Sequence, residues 1–503
     1  MPIVKRRERG AALVLVTFLS AFLLIPLIGI AVDGSILYWA KAKISAAVDS
    51  AALSGARSLN LGTDWPTEQA QAITTGTQYF WANFPNGMMR TSIVGGAPTI
   101  TPVQTSSQVI TVTATATATV PLYFMPLLGF STGSVSATGQ ATRRNSNIML
   151  VLDRSNSMNN AGSCAALISS AGNFVNQFVN GRDQVGLVTF QTSANVDFAP
   201  TLNFKTNSPN LNSVLSTLIC AGATNTTQGL NLGYQQIENV INEPGALNVI
   251  LFFTDGQPSA IDATFQVKLQ TDSRYGSYPA MNTSSIVSTP PSSCNNATVQ
   301  GVLTDVSTET ATSIYDLNTT GFTAGLYSDA AIPINSGQSD ANLIPFASGP
   351  GCNFRSKGGN GWAYPRADVA AIPATDLWND STSGYIPYTA GIDLFPTSNT
   401  NYANQIRPDV PRTVRWAAFN AADSFSQRIR NDTTYSPIIY TIGLQGNETM
   451  AIDQDFMERL ANDPRASNYD STKPQGQFIL ATNTGELSQA FQTIASEILR
   501  LSK

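Results

Sequence analysis

Asn147-Ile148-Met149-Leu150-Val151-Leu152-Asp153-Arg154-Ser155-Asn156-Ser157 decides how this chain folds. An almost continuously apolar run stops abruptly at a turn made of acid and hydroxyl side chains. A run of that length without alternation is the mark of a strand covered on both faces. Working outward, 165–179 reads as an amphipathic helix, 184–190 and 196–198 as strands, and 210–218 and 227–241 as helices. Residues 247–253 form another buried apolar strand. Much later come a helix at 411–430, a strand at 438–444, a helix at 456–461, a strand at 477–481 and a helix at 486–501. Strands alternating with helices predict an α/β fold with a doubly wound, mostly parallel sheet.

The pattern breaks between about 257 and 410, a stretch rich in Gly, Ser, Thr, Asn and Pro. It is too long for a plain loop. Trp362, Tyr364, Trp378, Tyr385 and Tyr388 give it something to pack, so an inserted, loop-rich and partly β subdomain is expected, with disorder as the alternative.

Three short motifs fall at the ends of these elements. Asp153-Arg154-Ser155-Asn156-Ser157 follows the first strand. Gly222-Ala223-Thr224-Asn225-Thr226 precedes a helix, and Thr254-Asp255-Gly256 follows the strand at 247–253. Taken singly, the first is an ordinary helix cap and the third an ordinary turn. Together they are more, because loops leaving the carboxyl ends of strands in an open α/β sheet meet at one crevice. Asp153, Ser155, Ser157, Thr224 and Asp255 would bring two carboxylates and three hydroxyls there. That is an oxygen set suited to a hard divalent cation, Mg²⁺ first, with Mn²⁺ or Ca²⁺ as alternatives. So little direct negative charge leaves a cation electrophilic and ready for an acidic side chain from a protein partner.

These motifs, with Asp183-Gln184-Val185-Gly186-Leu187-Val188-Thr189-Phe190 and Phe478-Ile479-Leu480-Ala481-Thr482, resemble the von Willebrand factor type A family. The resemblance implies its Rossmann-like fold and its metal-ion-dependent adhesion site, with Asp153, Ser155, Ser157, Thr224 and Asp255 as ligands. It spans about 147–498, apart from the insertion, which the family's common core lacks.

The N-terminus is of another kind. Residues 11–32 carry no charge, Lys5, Arg6, Arg7 and Arg9 precede them, and Asp33 follows. Twenty-two such residues suffice to cross a hydrocarbon core of about 30 Å. The basic flank holds the N-terminus in the cytoplasm and sends the rest outside. The apolar run exceeds a signal-peptide core and the helical pattern continues to Ala56, so a retained anchor is expected rather than a cleaved signal. Glu8-Arg9-Gly10-Ala11, Ala31-Val32-Asp33 and Ala47-Val48-Asp49-Ser50-Ala51-Ala52-Leu53-Ser54-Gly55-Ala56 resemble the start of TadG-type proteins of bacterial tight-adherence (Flp) pilus assembly. Arg9-Gly10 also resembles a prepilin peptidase site. Leu15 stands where prepilins carry Glu, and an uncleaved N-terminus is expected.

Between anchor and α/β region, 63–84 reads as a helix and Val109-Ile110-Thr111-Val112-Thr113-Ala114-Thr115 as strand. A small α+β module is expected, with a mucin-like stalk as the alternative. The resulting organisation is a basic cytoplasmic tail at 1–10, a transmembrane helix at 11–32 and a TadE/TadG-like stalk and module at 33–145. The α/β domain occupies 146–503.

Composition narrows the function. The 503 residues include no histidine, which removes Ser-His-Asp and Cys-His catalysis and zincin sites. A net charge of −5 offers no field for nucleic acid. Four cysteines in an exported chain suggest two disulfides. Sequential pairing is expected, Cys164 with Cys220 and Cys294 with Cys352, against other connectivities or free thiols. The first bond would staple two metal-bearing loops. The reading is therefore a non-enzymatic, single-pass envelope protein of pilus assembly and adhesion, binding pilus components or surface ligands. A mainly structural pilus-biogenesis component is the alternative, and an enzyme within the insertion a more distant one.

Overall fold

A computed structural model describes residues 8–20, 25–59, 65–106, 109–240, 245–266, 298–305, 323–337, 372–386, 411–445 and 452–502. The chain divides into two units, Met1–Arg144 with Ser502–Lys503, and Asn145–Leu501.

In the first unit, helices α1 (Glu8–Leu19), α2 (Ile25–Ser58) and α3 (Trp65–Asn83) precede strands β1 (Ser92–Ile93), β2 (Thr99–Ser106), β3 (Val109–Pro121) and β4 (Thr132–Arg144). The expected apolar span of 11–32 falls partly on α1 and partly on α2, and residues 21–24 lie outside the described ones. No helix among the described residues is long and apolar enough to cross a membrane.

β3 is the central strand of an antiparallel sheet. β4 pairs along its whole length, and β2 and β1 pair with successive parts of its other edge. Its Thr-Ala alternation explains how it packs. Val112, Ala114, Ala116 and Ala118 are buried against Ala47, Val48, Ala51 and Ala52 of α2 and Phe80 of α3. The small side chains let the helix approach closely. On the other face the hydroxyls are wet and pair across strands, as Thr117 does with Ser136 at 2.9 Å. The Thr-Ala repeat is thus strand and not mucin-like stalk.

The second unit opens with β5 (Ser146–Asp153) and α4 (Ser163–Asn176), followed by β6 (Gln184–Phe190) and β7 (Ala194–Thr201). Next come α5 (Leu211–Leu215), α6 (Thr226–Val240) and β8 (Leu247–Thr254). β9 (Ala260–Gln266), β10 (Thr298–Asp305) and β11 (Thr323–Tyr327) lie within 257–410. The chain continues through α7 (Pro411–Arg430), β12 (Ile438–Leu444), α8 (Gln454–Ala461), β13 (Phe478–Ala481) and α9 (Thr484–Leu501).

The main sheet has the order β13-β12-β8-β5-β6-β7 and is parallel except for β7. β5 is buried at every position, and its side chains serve two cores in turn. Ile148, Leu150 and Leu152 meet Leu167 and Phe174 of α4 and Phe491 and Ile494 of α9. Met149 and Val151 meet Leu230 of α6 and Phe419 and Phe425 of α7. Helices on both faces make this the doubly wound fold the sequence predicts. The insertion contributes a separate antiparallel sheet, β11-β10-β9.

Candidate metal centre

β5 and β8 are neighbouring parallel strands, with Leu152 opposite Phe253. Their carboxyl ends therefore deliver Asp153 and Asp255 side by side. Both are buried, as are Ser155 and Thr224. A chain of short hydrogen bonds joins the first and third loops. The Ser155 N–H donates to Asp153 Oδ1 at 2.7 Å, and the Ser155 and Ser157 hydroxyls share a bond of 2.8 Å. The Ser157 hydroxyl donates to Asp255 Oδ1 at 2.7 Å. Thr254 Oγ1 donates to Asp153 Oδ2 at 2.5 Å.

The second loop joins through its backbone. The Asn156 N–H donates to the Gly222 carbonyl at 2.9 Å and the Ala221 N–H to the Arg154 carbonyl at 2.8 Å. Thr224 is held by the Ser259 hydroxyl, which accepts from the Thr224 N–H at 2.9 Å. Gly222 sits at φ +85, and a Cβ there would lie 2.2 Å from Gln191 Oε1, so only glycine fits this turn. All five expected donors thus come to one edge of the sheet, four in a hydrogen-bonded chain and Thr224 on the adjoining loop.

Electrostatics at this edge are unfavourable for the chain alone. Burial pushes the Asp153 carboxyl up to about 6, against hydrogen bonds from Thr254 and Ser155 and the charge of Arg154. Among the described residues no three or more acidic or cysteine side chains are grouped so that they could hold a metal ion by themselves. The centre consists of two carboxylates with hydroxyls, a donor set that fits a hard cation.

The Cys164–Cys220 disulfide is present, with Cα atoms 6.3 Å apart. It ties the start of α4 to the Thr224 loop. Cys294 and Cys352 lie outside the described residues.

One residue inside the first motif escaped the sequence reading. Arg154 is fully buried, and burial lowers its guanidinium to about 10 although Asp197 and Asp153 oppose this. It donates to the carbonyls of Ile219, Ile332, Pro333 and Ser336 and to Thr189 Oγ1, at 2.8–3.2 Å. The Ile334 N–H donates in turn to Asp197 at 3.2 Å. Arg154 therefore pins residues 332–336 of the insertion to the rim of the centre. Arginine in a charge-poor chain, set between the aspartate and the first serine of the motif, was the only available signal.

Away from this edge, Asp262 of β9 is buried, and neither carboxyl oxygen has a hydrogen-bond partner among the described residues. Burial, with the charges of Asp329 and Asp376, pushes it up to about 8.

Comparison with known proteins adds two family matches. Residues 148–257 match the von Willebrand factor type A domain, and residues 10–58 match the Flp pilus-assembly TadE/G-like family. No curated protein matches the chain. Among solved structures, the vWF domain of the type V pili tip protein Mfa5 from Porphyromonas gingivalis is 15% identical with a TM-score of 0.36. That alignment covers 72% of this chain and 98% of Mfa5's. The PilB minor pilin from Streptococcus sanguinis is 14% identical with a TM-score of 0.34, over 82% of this chain and 79% of the other. The pilus adhesin SpaC from Lactobacillus rhamnosus GG is 13% identical with a TM-score of 0.34, over 80% of this chain and 34% of SpaC. The assignment rests on the two family matches and on the topology of the main sheet. The chain carries a TadE/G-like segment and a von Willebrand factor type A domain, the make-up of a TadG-like protein.

Proposed function

We propose that this protein is anchored in the membrane by its N-terminal helix, lies outside it, and serves Flp pilus assembly and adhesion by binding a protein partner through a divalent cation. Asp153, Ser155, Ser157, Thr224 and Asp255 would hold the cation, Mg²⁺ by the hardness of the oxygen set. The observation that carries this is the hydrogen-bonded chain from Asp153 through Ser155 and Ser157 to Asp255. It aligns hydroxyl lone pairs and a carboxylate beside a second, buried carboxylate whose ionisation burial opposes.

A bound cation supplies charge that favours Asp153 ionised and an open position for an acidic side chain of the partner. Ser155 and Ser157 orient the set without neutralising it. No bond is made or broken, so recognition needs none of the catalytic groups that a chain without histidine lacks.

A mainly structural role for the metal is less well supported. The three loops are already tied together by the Cys164–Cys220 bond and by backbone hydrogen bonds at Gly222, Ala221 and Ser259. A ligand role predicts that detergent-solubilised full chain captures pilus components or surface ligands in Mg²⁺ and releases them in chelator. Ser155→Ala with Thr224→Ala should abolish capture while shifting metal-free melting little. Capture that survives both chelation and the double substitution would sink the reading. Metal-free unfolding at room temperature would favour the structural role.

A further inference from the structure

We propose that the tip of the β3–β4 hairpin, residues 122–131, is a second membrane-contacting element, seated in the interface of the bilayer that the N-terminal helix enters. This rests on the anchor reading above. The argument begins with the path of the hairpin along α2, which close approaches at three glycines mark. A Cβ at Gly139 would lie 2.6 Å from Asp49, one at Gly133 would lie 2.7 Å from Leu37, and one at Gly29 would lie 2.6 Å from Phe124. The contacts therefore walk from position 49 to 37 to 29, about 30 Å down the helix at ~1.5 Å per residue. Phe124 meets the helix three residues inside Val32, the last residue of the apolar run, roughly 5 Å below its end. That depth is typical of side chains resting in the headgroup and acyl boundary.

Asp33 fixes the tip at this level. Its carboxylate accepts from the N–H groups of Tyr123 at 2.9 Å, Phe124 at 3.0 Å and Met125 at 2.8 Å. Three backbone donors on one carboxylate leave the turn little freedom. What the clamp presents is apolar. Tyr123 is 54% exposed, Leu127 78%, Leu128 54% and Phe130 60%, and no charged residue occurs from Leu122 to Thr142.

A lipid surface is the occupant because the helix beside the tip is exposed and apolar at the same level. Leu27, Ile28 and Ile30 are 62%, 55% and 56% exposed. Met89, from the turn after α3, flanks a groove on α2 with Ile28, Val32, Ile36 and Trp39. Two loops thus place apolar side chains beside the outer end of the span, with Trp39 and Tyr123 at the height where aromatic rings favour membrane interfaces.

Site-specific photocross-linking of the full chain in native membranes tests this. A benzophenone side chain replaces Leu127, Phe130, Leu27 or Gln140 in turn, and lipid adducts are read by mass spectrometry. Adducts are expected at 27, 127 and 130 and absent at Gln140, which lies on β4 beyond the Asp49 contact. Adducts at 27 with none at 127 and 130 overturn the proposal and leave the anchor intact. Protein adducts alone at 127 and 130 overturn it in favour of a docking site. No lipid adduct at any position overturns the anchor reading itself. Asp33→Asn should lower the yield at 127 several-fold and leave that at 27 unchanged; equal yields would remove Asp33 from the account.

Discussion

Val32-Asp33 and Leu152-Asp153 are the same local device, an aspartate ending an apolar run, put to opposite uses. Around Asp33 three backbone N–H groups converge, and although burial opposes it, donation from Tyr123, Met125 and Phe124 holds the carboxyl below its ordinary range. That carboxylate is satisfied by its own chain and acts as a clamp. Asp153 is also buried, but its partners are chiefly Thr254 and Ser155, the hydrogen-bonded chain that starts at it ends on a second carboxylate, Asp255, and burial pushes it up to about 6. The contrast teaches that donor supply separates a structural aspartate from one suited to a cation. Sequence position does not.

The most complete effect should come from breaking the second arrangement. Asp255→Ala is expected to abolish the Mg²⁺-dependent rise in melting temperature of the full chain, whereas Asp33→Asn leaves that rise in place. A normal rise in Asp255→Ala would refute the assignment of the centre.

Arg154→Leu comes next. It leaves four carbonyls and Asp197 without their cation and should cost about 3–5 kcal/mol in denaturant unfolding of the second unit. Protease cleavage near residues 332–336 should also accelerate. Unchanged stability would mean that the insertion is held at the rim by other contacts.

Removing the disulfide with Cys164→Ser and Cys220→Ser together should lower stability by about 2–4 kcal/mol. Mg²⁺ affinity should fall with it, because the Thr224 loop loses its covalent tie. Calorimetric titration reads the second effect, and an unaltered affinity would show that backbone hydrogen bonds alone position Thr224.

The smallest expected effect concerns pH. Asp262 is pushed from the ordinary carboxylate range to about 8 by burial and by Asp329 and Asp376. Its protonated form favours the fold, so its contribution is fully present below about pH 4 and is lost as pH rises through about 8. Stability of the second unit should therefore weaken by about 2 kcal/mol between pH 6 and 8, and Asp262→Asn should flatten that slope. A wild-type slope of the opposite sign would refute the burial argument.

Much of this was legible before any coordinates. The uniform burial of β5 follows from an apolar run with no alternation, and the half-buried β3 follows from Thr-Ala alternation. α7 begins and ends where amphipathic periodicity places it. Shorter elements drifted: the expected helix at 210–218 is only Leu211–Leu215, capped by Asn210, because beyond it the Thr217 and Leu218 N–H groups turn to carbonyls three residues back, Val214 and Leu215, and the chain leads Leu218 and Cys220 into the core. The expected strand at 196–198 extends to Ala194–Thr201 because pairing with β6 recruits flanks such as Ala194, Asn195 and Pro200 that propensity alone would leave out.

The sequence by itself determined the fold class and the order of the three oxygen-bearing loops, since periodicity and motif order are local properties, whereas the Cys164–Cys220 bond was only one of the pairings it left open. Tertiary structure alone decided what each aspartate does. Asp33 meets donors some 90 residues away, Asp153 meets a hydroxyl 101 residues away, and Arg154 reaches carbonyls up to 182 residues away. Those partners are chosen by packing of distant elements, and no local pattern encodes them.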